Sequence, residues 1–387
     1  MRLKNNLHLA YCTNIHRGDD WPQTLESLET HTLTVRDRVS PVRPYAIGLR
    51  LSDLASRQLS EPRTLRSFRD WLQRHDCYVF TINGFPFGRF HGTRVKEQVY
   101  LPDWTNPERL AYTNRLFELV AQLVPEGIEG SVSTLPGSFK EFISSEEQRS
   151  QIRYHFWQCI DHIEKCSERY GRHLHLGVEP EPFGFFETSA ETVAFFREME
   201  KDRPGDKRLR TFLGVNYDTC HLAVEYEEPA DVVRAFQKEG IRLSKIHLSS
   251  ALQVVPDAPV RKWLQRFADD TYLHQVMART PDGTRHAYQD LDLALAKGSD
   301  DSEWRIHFHV PLHAQKLTHG ETTVPHLLGL LDLLAKEATL CSHLEMETYT
   351  WEVLPVELRA KSVVDQLVKE YEWCLGQLAQ RGLYGRA

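Results

Sequence analysis

HLHLGVEP, residues 173–180, is the stretch that decides the fold. Strand side chains alternate faces, so Leu174, Leu176 and Val178 fall on one side and His175, Gly177 and Glu179 on the other. Pro180 ends the run and leaves Glu179 as its last inward residue. Working outward, seven further runs read as strands. They are LHLAYCTN from Leu7, YAIGLRLS from Tyr45, YVFTING from Tyr78, IEGSVSTL from Ile128, TFLGVNYD from Thr211, LSKIHLSS from Leu243 and SHLEMETYT from Ser342. Helical patterns lie between them. Pro22 suits a first turn, Asn106 and Pro107 open a helix, and Glu146 to Tyr170 is amphipathic with Gly171 as its C-cap. Further helices follow Ser189, Pro229 and Val324, and a long C-terminal helix follows Pro355.

Eight strands with intervening helices predict a (β/α)8 TIM barrel. The alternative is a doubly wound open sheet, but the first strand is followed by no G-x-G-x-x-G, and no Walker A motif occurs. With no repeat, low-complexity tract or Gly/Ser linker, residues 1–387 read as one domain. Residues 251–316 break the alternation as an insertion after the seventh strand. It contains a β-hairpin turning on Pro281-Asp282-Gly283 and ends in a strand, RIHFHVPLH. It is expected over the C-terminal mouth of the barrel or along its side, as a lid or a structural flap.

The 387 residues are 41% hydrophobic and 26% charged, which excludes a disordered chain. The net charge of −7 argues against a nucleic-acid protein held by phosphate contacts. No apolar run approaches the roughly 18 residues of a membrane span, and MRLKNNLHLAYCTN lacks a signal-peptide core. The expected location is cytoplasmic and the expected partner a small-molecule substrate. The seven Cys form no C-x-x-C pair and read as reduced, mostly buried thiols rather than a zinc ribbon.

The same parity puts Asn216 and Asp218, then Lys245, His247 and Ser249, then His343, Glu345 and Glu347 on inward faces. Barrel interiors are filled mostly by branched aliphatics. Burying charges singly costs several kcal/mol each. A divalent cation neutralises them together, whereas a web of salt bridges is the bland alternative. Glu179, Asp218, His247 and one of Glu345 and Glu347 thus form a candidate metal set, with Glu347 favoured because it lies nearer the mouth. Three carboxylates and an imidazole suit Mn²⁺, Mg²⁺ or Co²⁺, with Zn²⁺ or Fe²⁺ also compatible.

VEPEPFGFFET, VNYDTCH, KIHLSS and the E-T near the last strand resemble the xylose isomerase-like superfamily of sugar isomerases and epimerases. The ketose 3-epimerase branch is the nearest in pattern at Glu179, Asp218, His221 and His247, and Glu187 falls where that branch keeps a second Glu. HLAYCTNIHRGDDW, RIHFHVP and EMETYTWEVLP resemble the Ebo-operon metabolite-traffic barrel proteins of EboE type, over essentially the whole chain. The resemblance implies a metal-dependent isomerase or epimerase acting on a small polyol, sugar or related metabolite. Glu179 and Glu347 would remove and return a carbon-bound proton from opposite sides of the mouth. His221 would donate a hydrogen bond to a substrate oxygen, or cap the strand–helix turn.

Other residues carry looser expectations. His307 and His309 share a polar face with Arg305 and either line the mouth or form a solvated strand edge. Arg50, inward by parity, suits a carboxylate or phosphate. Asn14, His16 and Trp21 are candidate substrate contacts, and Asn83 with Phe85–Phe87 a candidate wall. Two other functions compete. A three-zinc phosphodiesterase needs additional His on strands two and three, where this chain has Arg50 and Asn83. A non-catalytic metabolite-binding or pathway partner would keep the barrel and the metal site.

Overall fold

The computed structural model describes residues 1–92, 94–299 and 302–385. Each expected strand forms. They are β1 (His8–Tyr11), β2 (Tyr45–Arg50), β3 (Cys77–Asn83), β4 (Gly130–Thr134), β5 (Leu174–Val178), β6 (Leu213–Asp218) and β7 (Arg242–Leu248), with β14 (His343–Met346) as the last. Their order, β1-β14-β7-β6-β5-β4-β3-β2, is that of a barrel unrolled at one seam. Every neighbouring pair is parallel. At the seam Cys12 pairs with Gly48 in parallel, and the Arg50 amide donates to Thr13 Oγ1 at 2.8 Å, so the sheet is a nearly closed TIM barrel.

The apolar faces meet the helices. Leu174, Leu176, Val178, Val215, Ile246 and Leu344 join one core with Phe156, Phe196, Phe236 and Leu327. The helix Glu146–Tyr170 has a full capping box between Ser145 and Gln148 and ends on Gly171 in the left-handed region, as its sequence predicts. All seven cysteines are free and buried. Among the described residues no helix is long and apolar enough to cross a membrane.

The insertion is larger than the hairpin anticipates. β8 (Leu252–Val254), β9 (Val276–Arg279), β10 (Arg285–Tyr288), β11 (Glu303–Ile306), β12 (Lys316–Leu317) and β13 (Gly320–Thr322) form a second sheet, in the order β10-β9-β11-β8-β13-β12. Its pairs are antiparallel, with the expected hairpin joining β9 and β10. It runs to Thr322 rather than to residue 316, and it has its own core of Leu252, Phe267, Trp304, Ile306 and Phe308. The strand expected across RIHFHVP stops at Ile306, where the Phe308 amide turns back to the Ile306 carbonyl at 2.8 Å. The segment 307–310 then crosses to the barrel, where the Val310 amide bonds the Ser250 carbonyl.

The C-terminal helix, Val363–Gln380, buries Glu370 completely. Its carboxylate accepts from the Leu312 amide, Gln366 Nε2 and Thr348 Oγ1. Burial pushes its pKa from 4.5 up to about 7. Between those values the folded chain holds a proton that the unfolded chain has lost, so stability falls as pH rises through that window. Glu370→Gln keeps the shape and removes the titration. The variant should match wild type near pH 5 and exceed it at pH 8 by up to about 3 kcal/mol, read from urea unfolding at the two pH values. An equal difference at both would refute the assignment.

Candidate functional site

Asp218 ends β6 and caps the short helix Thr219–Val224. Its Oδ1 accepts from the Cys220 amide at 2.7 Å, the His221 amide at 3.0 Å and Ser249 Oγ at 2.6 Å. Its Oδ2 is buried without a hydrogen-bond partner. One carboxylate oxygen therefore holds the turn while the other is left pointing inward. His247 pairs in register with both Asp218 and Glu345. Its Nε2 meets Glu345 Oε2 at 2.8 Å, and that oxygen also takes Lys245 Nζ at 2.5 Å. This fixes Nε2 as the donor and turns Nδ1 toward the mouth.

His247 Nδ1 faces Glu179 Oε1 and Glu347 Oε2 at 3.1 Å each and Asp218 Oδ2 at 3.5 Å. One ligand atom from each of Glu179, Asp218, His247 and Glu347 lies within 4.8 Å of all the others. Asn216 Nδ2 holds Glu179 Oε2 at 2.7 Å, while Asn14 and Asn83 donate to Glu347 Oε1 at 2.8 and 3.1 Å. Each Glu thus has one oxygen tied by amides and the other turned into the cluster. Glu345 sits one layer deeper, so of the two glutamates left open by parity, Glu347 joins the set.

Burial works against every charge here, and proximity reverses it. Burial opposes charging His247, but Glu347, Glu179 and Asp218 hold its pKa well above the usual imidazole range. Burial likewise opposes ionising Asp218, yet His221, His247 and His309 hold it well below the carboxylate range. Glu347 is also lowered, against burial, chiefly by His247. The same carboxylates also favour the charged form of His221 against burial, and even with both His247 and His221 protonated the three carboxylates outnumber the imidazolium charges. The fit to a divalent cation rests on this excess and on the partnerless Asp218 Oδ2.

The cluster opens into a small cavity of about 60 Å³ lined by Glu179, Glu347, Glu181, His221 and His307 and walled by Phe85, Phe90, Tyr100, Tyr272 and Tyr349. Strand alternation gives no role to Glu181, which lies past the end of β5 yet lines the cavity. Burial pushes its pKa up to about 8, so it stands in the cavity as a neutral acid. Asn14, His221 and His309 join the site: His221 lines the cavity, and His309 is wholly buried with Nδ1 on the Glu347 carbonyl at 2.8 Å. The solvated-edge alternative for His307 and His309 fails, because the turn at Ile306 carries both inward and away from Arg305. Arg305 instead bonds the Ala223 carbonyl and stacks on Tyr226.

Arg50, Glu187, His16 and Trp21 lie outside this cavity lining. Arg50 is inward and buried as parity requires, but its guanidinium is tied to the Gly18, Pro86 and Gly88 carbonyls, where it locks loops rather than an anion. Glu187 accepts from the Phe183 amide and pairs with Lys140, clamping the loop that precedes the helix Ser189–Asp202. His16 bonds Tyr11 Oη and stacks on His31, and Trp21 packs on Phe68, so neither lines the cavity.

No family model matches the sequence, and no curated protein matches it. Solved structures do match the fold. A D-tagatose 3-epimerase-like protein superposes with a TM-score of 0.50 and 14% identity, over 97% of this chain and 98% of that one. An L-ribulose 3-epimerase gives 0.53 and 10%, over 99% and 96%. A D-psicose 3-epimerase from Clostridium cellulolyticum H10, solved with D-tagatose, gives 0.51 and 9%, over 97% and 99%. At these identities the likeness is one of fold.

Proposed function

We propose that this chain is a divalent-cation-dependent isomerase or epimerase of a small polyol, sugar or related metabolite. The observation that carries the reading is the convergence of Glu179, Asp218, His247 and Glu347 at the C-terminal ends of four adjacent strands. Barrel active sites lie at that end. The names of the epimerase structures with the same fold support the substrate class. The Ebo-type motifs support a place in metabolite traffic.

Glu179, Asp218, His247 and Glu347 would hold the cation, in a set rich in hard oxygen ligands that suits Mn²⁺, Mg²⁺ or Co²⁺. Bound there, the cation supplies Lewis acidity for a carbonyl and its neighbouring hydroxyl. The rest is the work of side chains. Glu179 and Glu347 descend from β5 and β14, with β6 and β7 between them in the sheet. A substrate carbon between the two carboxyl groups gives its proton to one and receives a proton from the other on the opposite face, which inverts the centre. Neutral Glu181 donates to a substrate oxygen. The aromatic wall excludes water and packs the carbon skeleton.

Incubation with a panel of ketopentoses and ketohexoses in D₂O, with Mn²⁺ restored after chelation, tests the reading by mass spectrometry. Deuterium should enter one carbon-bound position of the accepted sugar and should stop entering when the cation is removed. Stoichiometric metal and sugar binding without exchange would instead establish the non-catalytic partner.

A further inference from the structure

Among the described residues that line the cavity, Lys96 is the one lysine or arginine, and its charge is already engaged. Its buried Nζ sits between Asp290 Oδ2 at 2.5 Å and the Asp269 carbonyl at 2.9 Å. Nearby, Arg50 is bound to loop carbonyls, and Lys245 lies deeper on Glu345. The charges left facing the cavity are carboxylates and the imidazoles beside them. A divalent cation and a protonated His221 would cancel Glu179, Asp218 and Glu347 and leave no positive charge over. Phosphate and carboxylate groups are recognised mainly through Arg and Lys, and this lining has neither free.

The hydrogen-bonding capacity of the lining is equally one-sided. Asn14 Oδ1, Tyr100 Oη and Glu181 Oε1 are buried without a hydrogen-bond partner. All three stand by the carboxylate cluster. Asn14 Nδ2 holds Glu347, Glu181 lies 4.0 Å from His221, and Tyr100 faces Glu181. Two other polar residues of the lining are already satisfied. Tyr272 Oη bonds His91 Nδ1 at 2.7 Å, while Gln275 gives its nitrogen to the Pro182 carbonyl and its oxygen to His307. Phe85, Phe90, Val95, Val99 and Leu273 present no polar side-chain atom. A free sugar carries an oxygen on every carbon. Each hydroxyl buried against those five without a partner would lose roughly 5- to 150-fold in affinity.

We propose that the substrate is an uncharged hydroxy ketone whose two chelating oxygens sit at one end of a compact apolar body, an aromatic or alicyclic ring, rather than a free or phosphorylated sugar. This rests on the proton-transfer reading of the site and narrows its substrate class. The carbonyl and hydroxyl meet the cluster, where Asn14, Tyr100 and Glu181 keep unpartnered polar atoms. The ring lies against the five apolar side chains. The cavity sets its bulk. At ~10–15 Å³ per water, about 60 Å³ holds roughly four to six waters. Their share of liquid volume, ~30 Å³ each, comes to about 120–180 Å³, the space of one six-membered ring with a short side chain. Four of the apolar residues come from the loop after β3 and Leu273 from the insertion, so these two segments together read the body of the substrate.

The probes are 2-hydroxyacetophenone, hydroxyacetone, D-fructose and D-fructose 6-phosphate, offered to the full-length, Mn²⁺-loaded protein. Affinity is read by calorimetric titration. Exchange of the carbon-bound hydrogens beside the carbonyl is read by mass spectrometry in D₂O. 2-Hydroxyacetophenone should bind at least about tenfold tighter than each of the others, the low end of what burying a ring-sized apolar group supplies, and should exchange fastest. Val99 is half-buried on the lining, and Val99→Asn gives that wall a hydrogen-bonding partner. The variant's preference for 2-hydroxyacetophenone over D-fructose should fall at least about threefold, within the range of one such hydrogen bond. A smaller preference in the wild type, or a smaller fall in the variant, would overturn the substrate class. Exchange into D-fructose without that preference would leave proton transfer standing alone. Tighter binding of 2-hydroxyacetophenone with no exchange into any probe would keep the substrate class and remove proton transfer.

Discussion

Lys245→Met should destabilise the protein by about 3–5 kcal/mol, the usual loss when one partner of a buried ion pair is removed. Lys245 and Glu345 are almost wholly buried, and Nζ meets Oε2 at 2.5 Å and Ser133 Oγ at 2.9 Å. The Glu345 carboxylate pays for its burial through this contact and His247, which hold its pKa down at about 2. Its Oε1 has no hydrogen-bond partner and lies where a Gly48 side chain would start, 2.0 Å from an ideal Cβ. Glu345 is wholly buried, so bulk solvent does not reach the carboxylate to replace the lysine. In wild type the depressed pKa contributes stability above pH 4.5 that is lost as pH falls toward 2. In the variant the sign reverses. The stranded carboxylate is easier to keep protonated, so the deficit should shrink as pH is lowered from 8 to 5. Adding Glu345→Gln should recover at least half of the loss, because the buried charge goes with its partner. Denaturant unfolding of the single and double variants at both pH values is the measurement. A single-variant loss under about 1 kcal/mol, or a deficit that grows on acidification, would show that the pair is not the support of His247 that its geometry describes.

That support explains which parts of the site could be read from residues alone. Period-two alternation delivers Glu179, Asp218, His247 and Glu347 because a barrel strand has only two faces, and in these strands one face is aliphatic. Parity cannot rank Glu345 against Glu347, since both point inward. Depth decides it, and depth follows from Lys245 pairing across β7 and β14. Parity also turns Arg50 inward correctly, but its partners are carbonyls of loops after β1 and β3, which alternation does not describe. The inward place of His307 and His309 is hidden for another reason. RIHFHVP reads as one continuous strand, and only the reversal at Ile306 separates Arg305 from His307 and His309. That reversal is set by where β11 runs out of partners, a property of the folded insertion rather than of the seven residues.

Glu347→Gln should leave the fold intact and reduce deuterium exchange into an accepted ketose by at least about 10³-fold, within the range that a positioned acid–base group contributes. The substitution is nearly isosteric. The Gln carbonyl oxygen can keep the Asn14 and Asn83 donors that hold Oε1 at 2.8 and 3.1 Å. The amide nitrogen then occupies the place of Oε2, 3.1 Å from His247 Nδ1. An amide there can neither accept a carbon-bound proton nor ligate a cation as strongly as a carboxylate, so both exchange and metal retention should suffer. The two losses separate with metal concentration. At saturating Mn²⁺ occupancy returns, and a proton-transfer role leaves kcat low; a role in ligation alone lets kcat recover. Asn83→Ala provides the contrast, since it loosens Glu347 without removing its charge and should cost about tenfold or less. Exchange within tenfold of wild type for metal-saturated Glu347→Gln would remove Glu347 from the chemistry and leave it as a ligand.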